Sequence, residues 1–390
     1  MRTILLRFLI VQIVILLLLS VAACDATKRV GAQQYLLKEN KTFVNGVRTD
    51  DAKINNFLLQ KPNSYILGMP LSLYIYNLAN PRAEKDFAYW LQTHSRWHRF
   101  LTKALSEKQV GRLQKSFLVS GIDHQLQRIG EAPAILDSLK VRKSAKQLAA
   151  YFRSIGYFNV KVADTVVFLP REHKKRTEVR YFINTGTQYF LDSLKTHITS
   201  PQVDSIYQQH KAKTFLKAGA PYQLADFSNE RSRLYELFRN QGFYTFQQSS
   251  INFEIERDTL AAQKDPRLQV TTHIGDLIER DGDVITTKKY KQHFLNKIRL
   301  YTDFDSKTDK RALDSLVYRD MVIYYKDKLR YRPRVLAHAT GLKKGQLYSD
   351  RERGNTYRQF NNLRVFRYPN MEFKYPAGDT LQNKLDANIY

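Results

Sequence analysis

Apolar residues recur along this 390-residue chain in a scheme used three times. The clearest copy begins with Leu148, Tyr151, Phe152 and Ile155 at i, i+3, i+4 and i+7, one face of an amphipathic helix over 144–155. Ser144 and Gln147 read as its capping box and Gly156 as its left-handed stop. Tyr157-Phe158 follow, then alternating Val160 and Val162, a basic turn at 173–176, and alternating Val179, Tyr181 and Ile183 up to Gly186. The change of period from 3.6 to 2 predicts a helix feeding two half-buried strands.

The second copy has Leu234, Leu237 and Phe238 as the helical stripe, Gly242 as the stop, and Phe243-Tyr244 as the aromatic pair. Ile251, Phe253 and Ile255 alternate, as do Leu268, Val270, Thr272 and Ile274. In the third, Ser349 and Glu352 form a capping box ahead of Tyr357, Phe360 and Leu363, with Arg364 where glycine stood before. Met371 and Phe373, then Leu385, Ala387 and Ile389, supply its strands. Copies two and three share L-K-x-G-x-x-Y, at 216–222 and 342–348, in which glycine suits a positive-φ turn and tyrosine packs that turn on the core.

First strands are predicted at 35–44, 189–198 and 294–301, and first helices at 50–59 and 201–210. Each unit is therefore strand, helix, helix, strand, strand. One-sided alternation buries one sheet face, so both helices share that face and the fold class is α+β, in tandem two-layer units. The expected division is 1–23 as a signal peptide, 24–34 as a tether, then units at 35–187, 188–280 and 281–390. A helical insertion at about 81–136 interrupts the first unit; it holds both tryptophans, Trp90 and Trp97, and is a candidate docking surface. Three strands per unit leave two bare edges.

At the N-terminus, Arg2 and Arg7 precede an apolar stretch and the small residues Ser20 to Ala23, a secretory signal pattern; a membrane anchor is the alternative. Val21-Ala22-Ala23-Cys24 looks like a bacterial lipobox, which makes Cys24, the sole cysteine, the expected lipidation site and anchors the mature chain in a membrane. Asp25 leaves inner or outer membrane open. The formal charge of +26 would suggest nucleic acid in a cytoplasmic protein. Outside the cytoplasm it points to anionic lipid, lipopolysaccharide or acidic clients, and no nucleic acid is expected. A solvated basic surface is the plain alternative, because the charges are scattered.

Lipobox plus strand-helix-helix-strand-strand repeats with a Gly-aromatic bend resembles POTRA domains. The words Gln60-Lys61-Pro62-Asn63, Leu67-Gly68-Met69-Pro70-Leu71, Tyr76-Asn77-Leu78-Ala79-Asn80-Pro81, Gly130-Glu131-Ala132-Pro133 and Arg239-Asn240-Gln241-Gly242-Phe243-Tyr244 resemble TamL-type lipoproteins of the BamA/TamA outer-membrane assembly superfamily. The resemblance implies a periplasmic POTRA array ahead of an outer-membrane barrel, outer-membrane protein clients and a TamB-like partner. The barrel would follow Tyr390, so the chain is expected to be a fragment of a barrel protein or a stand-alone POTRA lipoprotein.

Catalytic chemistry has little support. His94 and His98 have helical chelate spacing and Asp123-His124 lie further on, but no third ligand sits at motif spacing, so no metal, cofactor or enzymatic activity is expected. No Gly-x-Ser-x-Gly, Walker A or Gly-x-Gly-x-x-Gly motif is present. The basic clusters in predicted turns, Lys174-Lys175-Arg176 and Lys288-Lys289, are solvated loops or contacts for anionic headgroups. The expected function is capture of client strands or a partner by β-augmentation on the second strand of a unit, with Phe246, Gln247, Gln248, Ser249, Ser250 and Ile251 as the candidate edge. The alternative is a basic envelope lipoprotein that binds anionic lipid or lipopolysaccharide on the same scaffold.

Overall fold

The computed structural model describes residues 25–66, 68–114, 121–170, 175–257, 266–303, 313–366 and 369–390. Cys24 and the apolar leader, and His173 and Lys174 of the basic turn, lie outside them. No helix of the described residues is long and apolar enough to cross a membrane. The chain divides into two compact units, residues through Arg153 with Tyr157–Gly186, and Ser154–Gly156 with Thr187–Tyr390.

In the first unit, strand β1 (Leu36–Val44) pairs parallel with β4 (Arg176–Asn184), and β4 antiparallel with β3 (Lys161–Phe168). A fourth strand was not expected. Asn45 (φ 50°) and Gly46 (φ 84°) make a two-residue turn, and β2 (Val47–Thr49) folds back on the end of β1. Asn-Gly is a strong hairpin signal because both residues tolerate positive φ. The sheet order is therefore β2-β1-β4-β3, and part of the edge of β1 is covered by its own chain.

The helices of this unit depart from the predicted spans. The first, α1 (Ala52–Asn55), is a single turn capped by the Asp51 side chain, which accepts from Lys53 N at 2.8 Å. Five more follow: α2 (Leu71–Leu78), α3 (Ala83–Thr93), α4 (Ser95–Ala104), α5 (Glu107–Gln114) and α6 (Ile122–Ile129). The long α7 runs Ser138–Ser154, six residues earlier than the capping box implied. Asp137 caps it, accepting from Leu139 N at 2.9 Å and Lys140 N at 3.3 Å. Ser144 lies inside the helix, fully buried; its hydroxyl donates to Lys140 O and accepts from Leu59 N. A serine that meets a distant backbone amide is not distinguishable by local pattern from one that starts a helix.

Residues 25–30 are not a free tether. Ala26 and Val30 are buried with Leu36 and Leu73, and Asn77 of α2 donates to the Asp25 and Ala26 carbonyls at 3.2 and 3.3 Å. Arg29 reaches the Ala79 carbonyl. The chain is thus fastened to the first unit from Asp25 onward.

The second unit holds two sheets. One is three-stranded, β5-β7-β6, from β5 (Phe190–Ile198), β6 (Ile251–Arg257) and β7 (Arg267–Ile274), covered by α8 (Pro201–His210) and α9 (Leu224–Asn240). Val203, Tyr207, Leu234, Phe238, Phe243, Phe246, Ile251 and Ile274 form its core. A separate hairpin, β8 (Leu277–Asp281) with β9 (Val284–Lys288), follows. The other sheet has order β11-β12-β10-β14-β13, from β10 (Phe294–Tyr301), β11 (Asp314–Tyr318), β12 (Met321–Tyr325), β13 (Met371–Lys374) and β14 (Lys384–Ile389). Its helices are α10 (Pro333–Ala339) and α11 (Asp350–Asn362), the latter capped by Ser349 as the sequence implies. Arg364, in the glycine slot, does take φ 54°. The hairpin β11–β12 was unforeseen, and it covers the outer edge of β10.

Two details common to all three first strands identify one module used three times. Each first strand breaks register early, between Leu37 and Glu39, Leu191 and Leu194, and Leu295 and Lys297. Each then receives a loop on its outer edge. Leu37 N donates to Ala134 O, Leu191 N to Ala220 O and Leu295 N to Gln346 O, at 2.8, 2.9 and 2.8 Å. In the L-K-x-G-x-x-Y copies, Gly219 N and Gly345 N return bonds of 2.7 Å to Leu191 O and Leu295 O. Both glycines have φ 79°, which a side chain would oppose. The first module has Pro133, which lacks the N–H, at the corresponding place. The architecture is therefore α+β in tandem units of one repeated two-layer module, as the sequence pattern implies.

Candidate functional site: the open sheet edge and the joint behind it

Each module was expected to bare two edges. Among the described residues the first strand is itself an outer strand only in β5-β7-β6; β2 and β12 lie along part of the first strands of the other two sheets, in which β3 and β13, like β6, end the sheet on the other side. On β5 the loop bond ends at Leu191, leaving Asp192–Ile198 without a partner strand on the side away from β7. On β6 the inner face carries Ile251 and Phe253, opposite Ile274 and Thr272 of β7. Phe253 packs edge-on against Phe227 of α9 at 5.3 Å, with the Arg231 guanidinium 5.4 Å from its ring. Arg231 Nε also donates to Ile251 O at 3.2 Å, so the strand is fastened at its start and open from Asn252. Its outer face shows Asn252, Glu254 and Glu256, and Glu254 meets His273 of β7 at 2.9 Å.

The expected edge was displaced by five residues. Of Phe246, Gln247, Gln248, Ser249, Ser250 and Ile251, only Ile251 is in the strand; Gln248–Ser250 form a 3-10 turn. Phe246 is 3% exposed and lies against Phe238 and Tyr290, with ring centroids 4.8 and 4.7 Å apart. Ser250 and Tyr290 share a hydroxyl–hydroxyl bond of 2.6 Å, and Tyr290 OH also takes Gln247 N at 3.3 Å. These residues anchor the strand rather than form its edge. A polar run after an aromatic reads as a strand when Tyr290, forty residues on, is not in view.

Behind this sheet, the end of α9 is joined to the start of α11. Arg239 makes a two-pronged bond to Asp350, Nε to Oδ2 at 2.6 Å and a terminal nitrogen to Oδ1 at 2.9 Å, and donates to Tyr348 OH at 2.9 Å. Tyr348 OH donates to Asp350 at 2.5 Å, and Asn240 Oδ1 accepts from Ser349 and from Arg351 N. Burial alone would raise the Asp350 carboxyl; the bonds from Arg239 and Tyr348 outweigh it and hold the group below its ordinary range. Burial pushes the Tyr348 phenol up, and the Asp350 bond adds to the rise. Gly242, at φ 98°, follows; a Cβ there would meet Leu347 at 2.8 Å. This joint explains why two modules form one unit.

His293 sits in the same joint, 3% exposed, its ring against Gly242 O and Tyr375 OH. Burial lowers its pKa below 6.5. A group that binds its proton more weakly when folded stabilises the fold above the unfolded value and loses that contribution as pH falls. The second unit should therefore weaken as pH drops below 6.5, and His293→Asn should remove that slope from a denaturation-versus-pH series.

The histidine pair does not lie on one unbroken helix. The helix breaks between α3 and α4 at His94, where Thr93 and His94 bond back to Trp90 O. Among the described residues no group of three or more His, Cys, Asp or Glu could hold a metal. Lys288 and Lys289, expected in a turn, pair with Glu279 at 2.6 Å and Asp276 at 2.7 Å.

No family model matches the sequence, and no curated protein matches it. Among solved structures, the chain is similar to BamA POTRA3-5 of Haemophilus influenzae, at 10% identity and TM-score 0.35 over 93% of this chain and 98% of that one. It is similar to POTRA1-3 of the periplasmic domain of Omp85 from Anabaena at 8% identity and TM-score 0.24, over 91% and 94%. The N-terminal domain of Omp85 from Thermosynechococcus elongatus gives 9% and 0.21, over 66% and 85%. Superpositions at these scores carry no weight for function; the repeated module rests on its own internal equivalences.

Proposed function

We propose that this chain is a periplasmic POTRA-type module of an outer-membrane protein assembly factor, which captures extended client strands, or a TamB-like partner, by β-augmentation. Acylation of Cys24 would hold it at the outer membrane. The observation that carries the reading is the sheet β5-β7-β6, whose two outer edges have no strand partner among the described residues. An unpaired edge presents main-chain donors and acceptors at strand spacing, which suits clients of varied sequence.

The test uses a photo-crosslinkable residue at Asn252 and an extended peptide of alternating apolar and polar residues. Along an antiparallel strand, the N–H groups of successive residues point to opposite sides. Of Glu254→Pro and Ile255→Pro, one therefore deletes an outward donor and the other a ladder bond to β7. The outward variant should abolish crosslinking while keeping its melting temperature; the inward one should lower the melting temperature. Crosslinking retained in the outward variant would refute edge pairing.

A further inference from the structure

Helix α4 of the insertion has an apolar face that the described residues leave largely open, with Trp97 and Phe100 exposed and Leu101 half-buried. None of its ten residues is buried; Trp97 is 55% and Phe100 62% exposed. The two rings meet edge-on at 6.0 Å, and Trp97 lies 6.3 Å from Trp90 of α3. At about 100° per residue, Trp97, Phe100, Leu101 and Ala104 fall within an arc of roughly 100°. Arg96, Arg99 and Lys103 fill an adjoining arc, and the helix has no Asp or Glu. Indole beside a purely cationic flank is the composition of a helix that lies in the surface of an anionic bilayer.

The N-terminus supplies an independent argument. Asp25 and Ala26 are held by Asn77, and Arg29 by Ala79, immediately before α3 begins at Ala83. A lipid on Cys24 would thus join the first unit with no slack, at the elements that lead into the insertion. We propose that α4 is a membrane-surface helix, with Trp97 and Phe100 at the headgroup–acyl boundary and Arg96, Arg99 and Lys103 on lipid phosphates. The proposal is separate from strand capture and does not require acylation.

The test uses the chain from residue 24 with Cys24→Ser, which keeps every described residue. It is sedimented with vesicles of equal parts phosphatidylcholine and phosphatidylglycerol. Both tryptophans of the protein lie in α3 and α4, so a blue-shifted emission, quenched by brominated acyl chains, is expected on binding. Trp97→Ser with Phe100→Ser should weaken partitioning about tenfold or more. Arg96→Gln, Arg99→Gln and Lys103→Gln together should abolish the preference for phosphatidylglycerol. Circular dichroism unchanged from the parent establishes that the variants fold. No sedimentation with vesicles, or equal sedimentation of the Trp97/Phe100 variant, would overturn the assignment. Loss of binding to an envelope protein by that variant, while the parent ignores vesicles, would also overturn it and make the face a protein interface.

Discussion

Arg239→Ala is expected to cost the second unit about 3 kcal/mol, the low end for removing one partner of a buried ion pair. The low end applies because the Arg239 and Asp350 side chains are 12% and 28% exposed, not sealed. The substitution strands Asp350 at the start of α11, takes a donor from Tyr348, and removes a guanidinium stacked 5.0 and 5.4 Å from the Tyr348 and Tyr244 rings. Two separated unfolding transitions should replace one in calorimetry, because this joint links the two sheets. The pH dependence has a defined sign. Asp350 has a folded pKa below 3.8, so its contribution is complete above that value and is lost as pH falls through the folded one. The parent should therefore show an acid limb below pH 3.8 that Arg239→Ala flattens. A single unshifted transition would show that the joint adds nothing.

Phe246→Ala should cost about 3–5 kcal/mol, the usual range for emptying a buried phenylalanine site. Its ring is wedged between Phe238 and Tyr290, and the backbone that follows, through the Ser250–Tyr290 hydroxyl pair, sets where β6 starts. Strand capture should fall in this variant only as far as the folded fraction falls. Urea titration gives that fraction, and crosslinking yield divided by it should equal the parent's. A yield that drops further would return Phe246 to the contact surface.

What could be read from the sequence was whatever is encoded within a few residues. The stripe Leu148, Phe152, the alternation Val179, Tyr181, Ile183, the Ser349 cap and the glycine of L-K-x-G-x-x-Y all specify local geometry, and the structure repeats each. Asn45-Gly46 is an equally local signal, and it makes the turn into β2. Other features depend on partners far along the chain. Arg239 meets Asp350 across 111 residues, Ser144 meets Leu59 across 85, and Tyr290 reaches back 40 to Ser250. No spacing announces such pairs, so by local pattern alone Ser144 resembles a helix cap and the turn before β6 resembles a strand edge. Covering of first strands by β2 and β11–β12 likewise depends on which strands meet, not on their composition.

The direct test of strand capture is an amide-shift titration of the isotope-labelled chain with an extended peptide of alternating apolar and polar residues. The proposal predicts shifts confined to Asn252–Arg257 or Asp192–Ile198, with new slow-exchanging amides on the outward-pointing positions of one of those runs. Shifts that map to the other two module sheets, or amides on both runs that stay where they were at saturating peptide, would contradict it.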